Sequence, residues 1–171
     1  MAKVEAAPLA HAAATLAALG NPGLLLVSKD ATGRPNVMTI GWGSIGIFWR
    51  RPVFVAPVRR SRYTHGCIEA TGDFTVNVLP PALAGLAGKC GSVSGREVDK
   101  FAEYGLTAVD GRHVRSPLIE QCVIGYECRV VQQTGMAPAS LDPAIQQALY
   151  GDEDYHDFFF GEILAVQVAA G

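Results

Sequence analysis

The chain has 171 residues, a length most simply read as one domain over residues 1–171 with a sizeable core of its own. A formal net charge of -2 argues against general nucleic-acid binding, and no run approaches the roughly 18 apolar residues of a membrane span. Nineteen glycines and ten prolines imply many turns, while four cysteines without a CxxC pair support neither a zinc site nor a disulfide framework.

The alanine-rich start predicts a helix over Ala6–Leu19. Glu5 precedes it and His11 and Thr15 interrupt it, which sets it apart from an export signal. With reduced thiols, the expectation is a cytoplasmic protein. Gly23–Lys29 reads as a buried strand and Asp30–Gly33 as a hairpin turn. Beyond Arg34 the residues alternate: Met38, Ile40 and Trp42 share one parity, and Thr39, Gly41 and Gly43 the other. A strand with this pattern has bulk on one face and almost nothing on the other, and interior glycines mark close approach by a ligand or a barrel bend.

Val53–Val58 predicts a further strand. It leads into Arg59-Arg60-Ser61-Arg62-Tyr63-Thr64, at a junction with a helix that Ser61 or Thr64 caps and Gly72 stops. Arginine carries forked donors, and a helix start adds free amides and a positive dipole end. The cluster therefore suits a phosphate, the alternative being a solvated face. A bare strand leading to a phosphate seat suits a flat mononucleotide, read here as FMN.

Phe74–Leu79 alternates again, with Thr75 and Asn77 facing away from the phenylalanine side. Pro80-Pro81 opens a short helix that stops near Gly88, and Gly91–Phe101 is a polar glycine loop ending in a short helix closed at Gly105. Leu106–Pro117 is irregular. Val123–Val131 is an amphipathic strand with Ile124, Tyr126, Cys128 and Val130 on one face and Glu127 and Arg129 on the other. A helix over Asp142–Tyr150, the acidic run Asp152-Glu153-Asp154 and an apolar closing strand, Phe158–Val168, complete the chain. About six strands with few long helices predict a mainly β fold with flanking helices, a small antiparallel barrel.

Five segments occur in series: Asn36-Val37-Met38-Thr39, Arg60-Ser61-Arg62-Tyr63-Thr64, Phe74-Thr75-Val76-Asn77, Ser94-Gly95-Arg96 with Asp99-Lys100-Phe101, and Gly161-Glu162-Ile163. Together they resemble the flavin reductase-like, FMN-binding split-barrel family, and within it the flavoredoxin-like branch. The resemblance spans roughly Gly23–Val168. It implies a homodimer of split β-barrels with FMN in a cleft near the dimer interface. It places Asn36, Met38, Thr39, Ile40, Gly41, Trp42 and Ser44 along the isoalloxazine. It puts Arg60, Ser61, Arg62, Tyr63 and Thr64 at the phosphate, Asn77 near the cofactor, and Ser94, Lys100 and Phe101 on a loop closing over the site. Shorter members reach their last strand through a Gly-Asp-His turn; here a helix-bearing insertion over 132–157 precedes His156-Asp157, so the resemblance does not locate that histidine.

Hydride transfer between flat rings needs stacking rather than an acid or a nucleophile. The chain accordingly has no triad, no paired carboxylates and no P-loop, and without a GxGxxG fingerprint NAD(P)H is a transient co-substrate. His65, His113 and His156 form no metal set, and Cys90 beside the glycine loop is the one candidate redox thiol. Three readings follow: an NAD(P)H-dependent reductase of flavin, iron or another small acceptor; a flavoredoxin-type FMN electron carrier; and a structural dimer that has lost the cofactor. The apolar run Ile45, Ile47, Phe48, Trp49 predicts a surface covered by a twofold partner, unless it caps the chain's own barrel.

Overall fold

The structure is a computed structural model that describes residues 2–170. Its elements are β1 (Lys3–Ala6), α1 (Ala12–Gly20), β2 (Leu24–Lys29), β3 (Pro35–Ile40), β4 (Ser44–Phe48), β5 (Arg51–Arg59), α2 (Tyr63–Thr71) and β6 (Asp73–Val78). After them come α3 (Gly85–Ser92), α4 (Lys100–Glu103), β7 (Ala108–Val109), β8 (Leu118–Ile119), β9 (Ile124–Gly135), α5 (Pro143–Leu149) and β10 (His156–Ala169).

The main sheet is antiparallel throughout, in the order β3-β2-β6-β9-β10-β5-β4, with β1 added at β10. The two end strands, β3 and β4, are consecutive in the chain and separated only by Gly41-Trp42-Gly43. A link that short forces the sheet to curl until its ends meet, yet the two strands are not paired with each other. The result is a split β-barrel. Gly43 makes the passage at φ +155°, where a Cβ would stand 2.8 Å from the Val55 carbonyl oxygen.

The barrel interior holds Leu24, Leu26, Phe54, Phe74, Tyr126 and Phe159. A second cluster outside the wall joins Leu25, Val27 and Val37 to Ala87 and Cys90 of α3 and to Ile119 and Cys122. Successive side chains of β2 enter opposite clusters, so Leu24–Val27 is apolar without alternation. The second face of β9 is covered as well. Glu127 is fully buried there, and its carboxylate accepts from the His113 backbone N–H at 2.7 Å and from Gln167 Nε2 at 3.3 Å. Asp73 takes the backbone N–H groups of Arg115 and Ser116 at 2.9 and 3.1 Å, which lays the irregular 111–117 stretch across the sheet.

Four local expectations change. The helix expected to stop near Gly88 runs on to Ser92 as α3, so the glycine loop starts later than Gly91. The first helix begins at Ala12, and Lys3–Ala6 instead pairs with the end of β10, Lys3 opposite Ala169 and Ala6 opposite Val166. An open sheet edge offers a full set of backbone partners, and these outweigh alanine's helix preference. The strand after Arg34 ends at Ile40, so Trp42 stands in the connection rather than on the strand's face. Neither Ser61 nor Thr64 caps α2. Arg62 occupies the N-cap, Ser61 gives its N–H and hydroxyl to Asp154 at 3.2 and 2.6 Å, and the Thr64 hydroxyl accepts from Asn36 Nδ2 at 2.7 Å. Gly72 ends the helix at φ +71° as expected. No described helix is long and apolar enough to cross a membrane.

Gly161 sits at a bulge of β10 against the Phe74 ring; an added Cβ would lie 2.5 Å from Phe74 Cζ and 2.8 Å from the Cys128 Cβ. Gly161→Ala is expected to cost about 1–3 kcal/mol by overpacking, which at this chain length lowers Tm by roughly 2–12 °C. An unchanged Tm in a thermal scan would mean that the bulge yields freely.

Candidate functional site

A cleft follows the open edge of β3 in two lobes that share Met38, Thr39 and Arg62. The first, about 210 Å³, lies between Ile40-Gly41-Trp42 on one side and Pro57, Arg59 and His156 on the other. The second, about 380 Å³, continues past Arg62 to the start of α2 and the loop Gly91–Glu97, with Lys100 in its wall. The glycine-lightened side of β3 is not wholly bare, because the Thr39 hydroxyl donates to the Ala87 carbonyl at 2.6 Å and so seats α3. The open part is at Gly41.

The second lobe is electropositive by construction. The Arg62 side chain is exposed and has no hydrogen bond or ion pair among the described residues. The first turn of α2 carries no side-chain cap, and its residues Tyr63 and Thr64 border the lobe. Arg96 lies over the Tyr63 ring at 5.3 Å and donates to the Ser61 carbonyl at 3.0 Å. Lys100 is buried, with Nζ donating to the Cys90 carbonyl at 2.6 Å. Burial lowers its pKa from the ordinary lysine value; Cys90 pulls the other way, and Arg62 adds to the lowering. Gly95 lets the loop lie directly on Asn36, whose amide oxygen would collide with any side chain there.

The other arginines of the cluster are engaged. Arg59 donates from Nη1 to both Asp152 oxygens at 3.2 Å and from Nη2 to the Leu149 carbonyl at 2.7 Å. The acidic run after α5 thus binds an arginine of the expected phosphate seat. Arg60 points to the outer side of α2, where Nε and Nη2 reach Asp157 at 2.9 and 2.8 Å. Asp157 also pairs with His65 Nε2 at 2.9 Å and accepts from Gln133 at 3.3 Å. Burial raises its pKa, but these hydrogen bonds outweigh it and hold the carboxyl below its ordinary value.

Met38, Thr39, Ile40, Gly41, Trp42, Ser61, Arg62, Tyr63, Thr64, Ser94 and Lys100 line the cleft. Five residues named from the sequence do not. Asn36 braces the helix start from behind; Arg60 serves Asp157; Ser44 opens β4 beside a neighbouring apolar cavity; and Phe101 packs on the second core cluster. Asn77 is fully buried, with its amide spent on the Leu25 carbonyl, the Thr75 hydroxyl and the Ile119 N–H at 3.3, 2.9 and 2.9 Å. It ties β2, β6 and β8 together. Pro57 lines the cleft without having been singled out, and so do Arg96 and His156, which the sequence named without giving them a place at the cofactor.

His156 arrives through cross-strand register, opposite Arg59 on β5, which no local periodicity reveals. Its pKa is pushed down to about 4, by burial first and by Arg59 and Arg62, with Asp154 opposing. The folded state therefore prefers the neutral imidazole. This contribution to stability is complete above the unfolded value near pH 6.5 and is lost as pH falls toward 4. Denaturant midpoints of the wild type are expected to drop across that window and those of His156→Gln to drop less; parallel profiles would show that other groups govern the acid limb.

The chain belongs to the family described as flavin reductase like domain, which residues 16–171 match. It is 32% identical over 133 residues to an uncharacterized protein of Archaeoglobus fulgidus, a match that covers 78% of this chain and 65% of that protein's length. Flavoredoxin of Desulfovibrio vulgaris (Miyazaki F) shares the fold with a TM-score of 0.70 and 29% identity, over 86% of this chain and 69% of that one. Flavoredoxin from Methanosarcina acetivorans aligns with a TM-score of 0.68 and 29% identity, over 85% and 67% of the two chains.

Proposed function

We propose that the cleft binds FMN and that the protein is an oxidoreductase drawing electrons from NAD(P)H for a small acceptor. The observation that carries this reading is Arg62, whose guanidinium has no partner among the described residues and stands at the junction of a narrow lobe and an uncapped helix start. In this arrangement Arg62, the first amides of α2 and the Ser94-Gly95-Arg96 turn hold the phosphate. Met38, Ile40, Gly41 and Trp42 face the ring system, while Pro57 and His156 narrow the lobe and exclude water. Once bound, FMN supplies the redox chemistry, and the protein supplies position and electrostatics. A single phosphate seat fits FMN better than FAD. A twofold partner, covering the aromatic tip of β4 and β5, completes the proposed assembly.

A second reading is an FMN electron carrier that does not turn over a nicotinamide, and the similarity to two flavoredoxins favours it. Anaerobic addition of NADH or NADPH to the yellow protein separates the two. Loss of the flavin's visible absorbance supports the reductase, and persistent colour selects the carrier. A colourless protein that takes up no added FMN overturns the cofactor reading itself.

A further inference from the structure

Two arginines, Arg59 and Arg62, line the first lobe, and among the described residues no carboxylate lines it. In the proposed arrangement Arg62 belongs to the phosphate, which leaves Arg59 as the cation beside the ring. Its guanidinium is not free to turn. Nη1 donates to both Asp152 oxygens and Nη2 to the Leu149 carbonyl, and the group lies over the Tyr150 ring at 5.2 Å. Asp154 stands 3.8 Å from Nη1; it accepts from the Ser61 N–H and hydroxyl, and its own N–H donates to Asp152 at 3.3 Å. The Arg60 N–H donates to the Tyr155 carbonyl at 3.4 Å, which fastens the end of the same segment. All the partners of the Arg59 guanidinium therefore come from the insertion.

The acids offset this charge only in part. Arg59 and Asp154 are largely withdrawn from solvent, whereas the Asp152 side chain is 65% exposed, so water screens it most. What remains of the field reaches the lobe. At His156, which lines it, Arg59 and Arg62 oppose protonation and Asp154 favours it, so these charges act across one space. A cation there lowers the free energy of a negatively charged ring more than that of a neutral one. The phosphate carries the same charge in both redox states, so an effect on the phosphate seat cancels in the potential.

We propose that Arg59 stabilises the negative charge that reduction adds to the flavin ring, and that Asp152 and Asp154 set how much of its charge the ring feels. The insertion thereby fixes the flavin's potential through an arginine that it also holds in place. Asp152 and Asp154 are positioning residues that act through Arg59, and neither lines the lobe. The inference rests on the flavin reading of this lobe.

The test is reductive titration of the FMN-loaded protein with dithionite beside a reference dye, in mildly alkaline buffer. Replacing both acids, Asp152→Asn with Asp154→Asn, should favour the reduced flavin about two- to tenfold, the effect of one or two screened charges. In a two-electron couple that raises the potential by about 10–30 mV. Arg59→Gln should lower it by a similar amount, and Arg59→Lys should keep it near wild type. Opposite signs are the signature, because variants that only loosen the insertion would move both potentials alike. Shifts of one sign, or none, would overturn the proposal. The field is also readable in the apoprotein, where the His156 titration followed by NMR should move up in Arg59→Gln; an unmoved histidine overturns the proposal as well. Protein that takes up no FMN fails the cofactor reading and this proposal together, with the histidine shift intact. Flavin bound at an unmoved potential fails the proposal alone.

Discussion

Arg62→Ala should weaken FMN binding by about one to two decades, while Arg60→Ala should leave it within about threefold of wild type. One charge-assisted phosphate contact contributes about 1.5–3 kcal/mol, and each decade of affinity is about 1.4 kcal/mol. Sequence alone treats the two arginines as equals, two residues apart around one serine. The fold separates them. Arg62 stands in both lobes with its guanidinium unengaged, whereas Arg60 faces away and holds the Asp157 carboxylate. Arg60→Ala should instead appear as a lower Tm, because Asp157 keeps only His65 and Gln133. Flavin fluorescence titrations of the two apoproteins decide the matter; equal losses in both variants would place the phosphate elsewhere.

Phe48→Asp combined with Trp49→Lys should convert a dimer into a monomer with much weakened flavin retention. Ile47 and Trp49 are 59% and 60% exposed. Phe48, Trp49 and Phe160 form one aromatic cluster, with centroids 5.4 to 5.9 Å apart. The β4–β5 turn holds Trp49 and Arg50 at φ +51° and +61°, a tight hairpin that fixes the rings at its tip. A rigid apolar patch of this kind is costly to leave in water and suits a twofold contact. Trp42, 45% exposed at the cleft, leads through Gly43 into the same hairpin, so a partner on this patch and a flavin in the cleft would share one edge. Sedimentation of the wild type as a monomer with flavin still bound would defeat the idea.

Much of the barrel was legible because its signals are local. The double-sided burial of β2 reads as an apolar run, the Asp30–Gly33 turn as hairpin chemistry, and Gly72 as a helix stop. Those cues hold where one residue and its neighbours decide the outcome. They fail where a distant segment decides. Nothing near Lys3 announces that it pairs with Ala169, and nothing near Asp154 announces that it takes the Ser61 hydroxyl. Asn77 alternates like a lining residue, yet the residue beside it in space is Ile119, more than forty positions away. His156 enters the cleft only because β10 registers against β5. The cluster of three arginines looked uniform in one dimension and is resolved by the acids of the insertion and by Asp157.

All four cysteines are free and buried, and burial raises each thiol's pKa, that of Cys122 to about 12. Such thiols are nearly silent toward alkylating reagents until the chain opens, so their labelling rates act as built-in clocks of opening. Cys90 lies in the last turn of α3, where the helix runs into the loop around the phosphate lobe, whereas Cys128 sits in the middle of the barrel wall. If the loop swings out to admit ligand while the barrel stays closed, Cys90 reacts first and added FMN slows it alone. The two thiols then time the door and the wall of the same room.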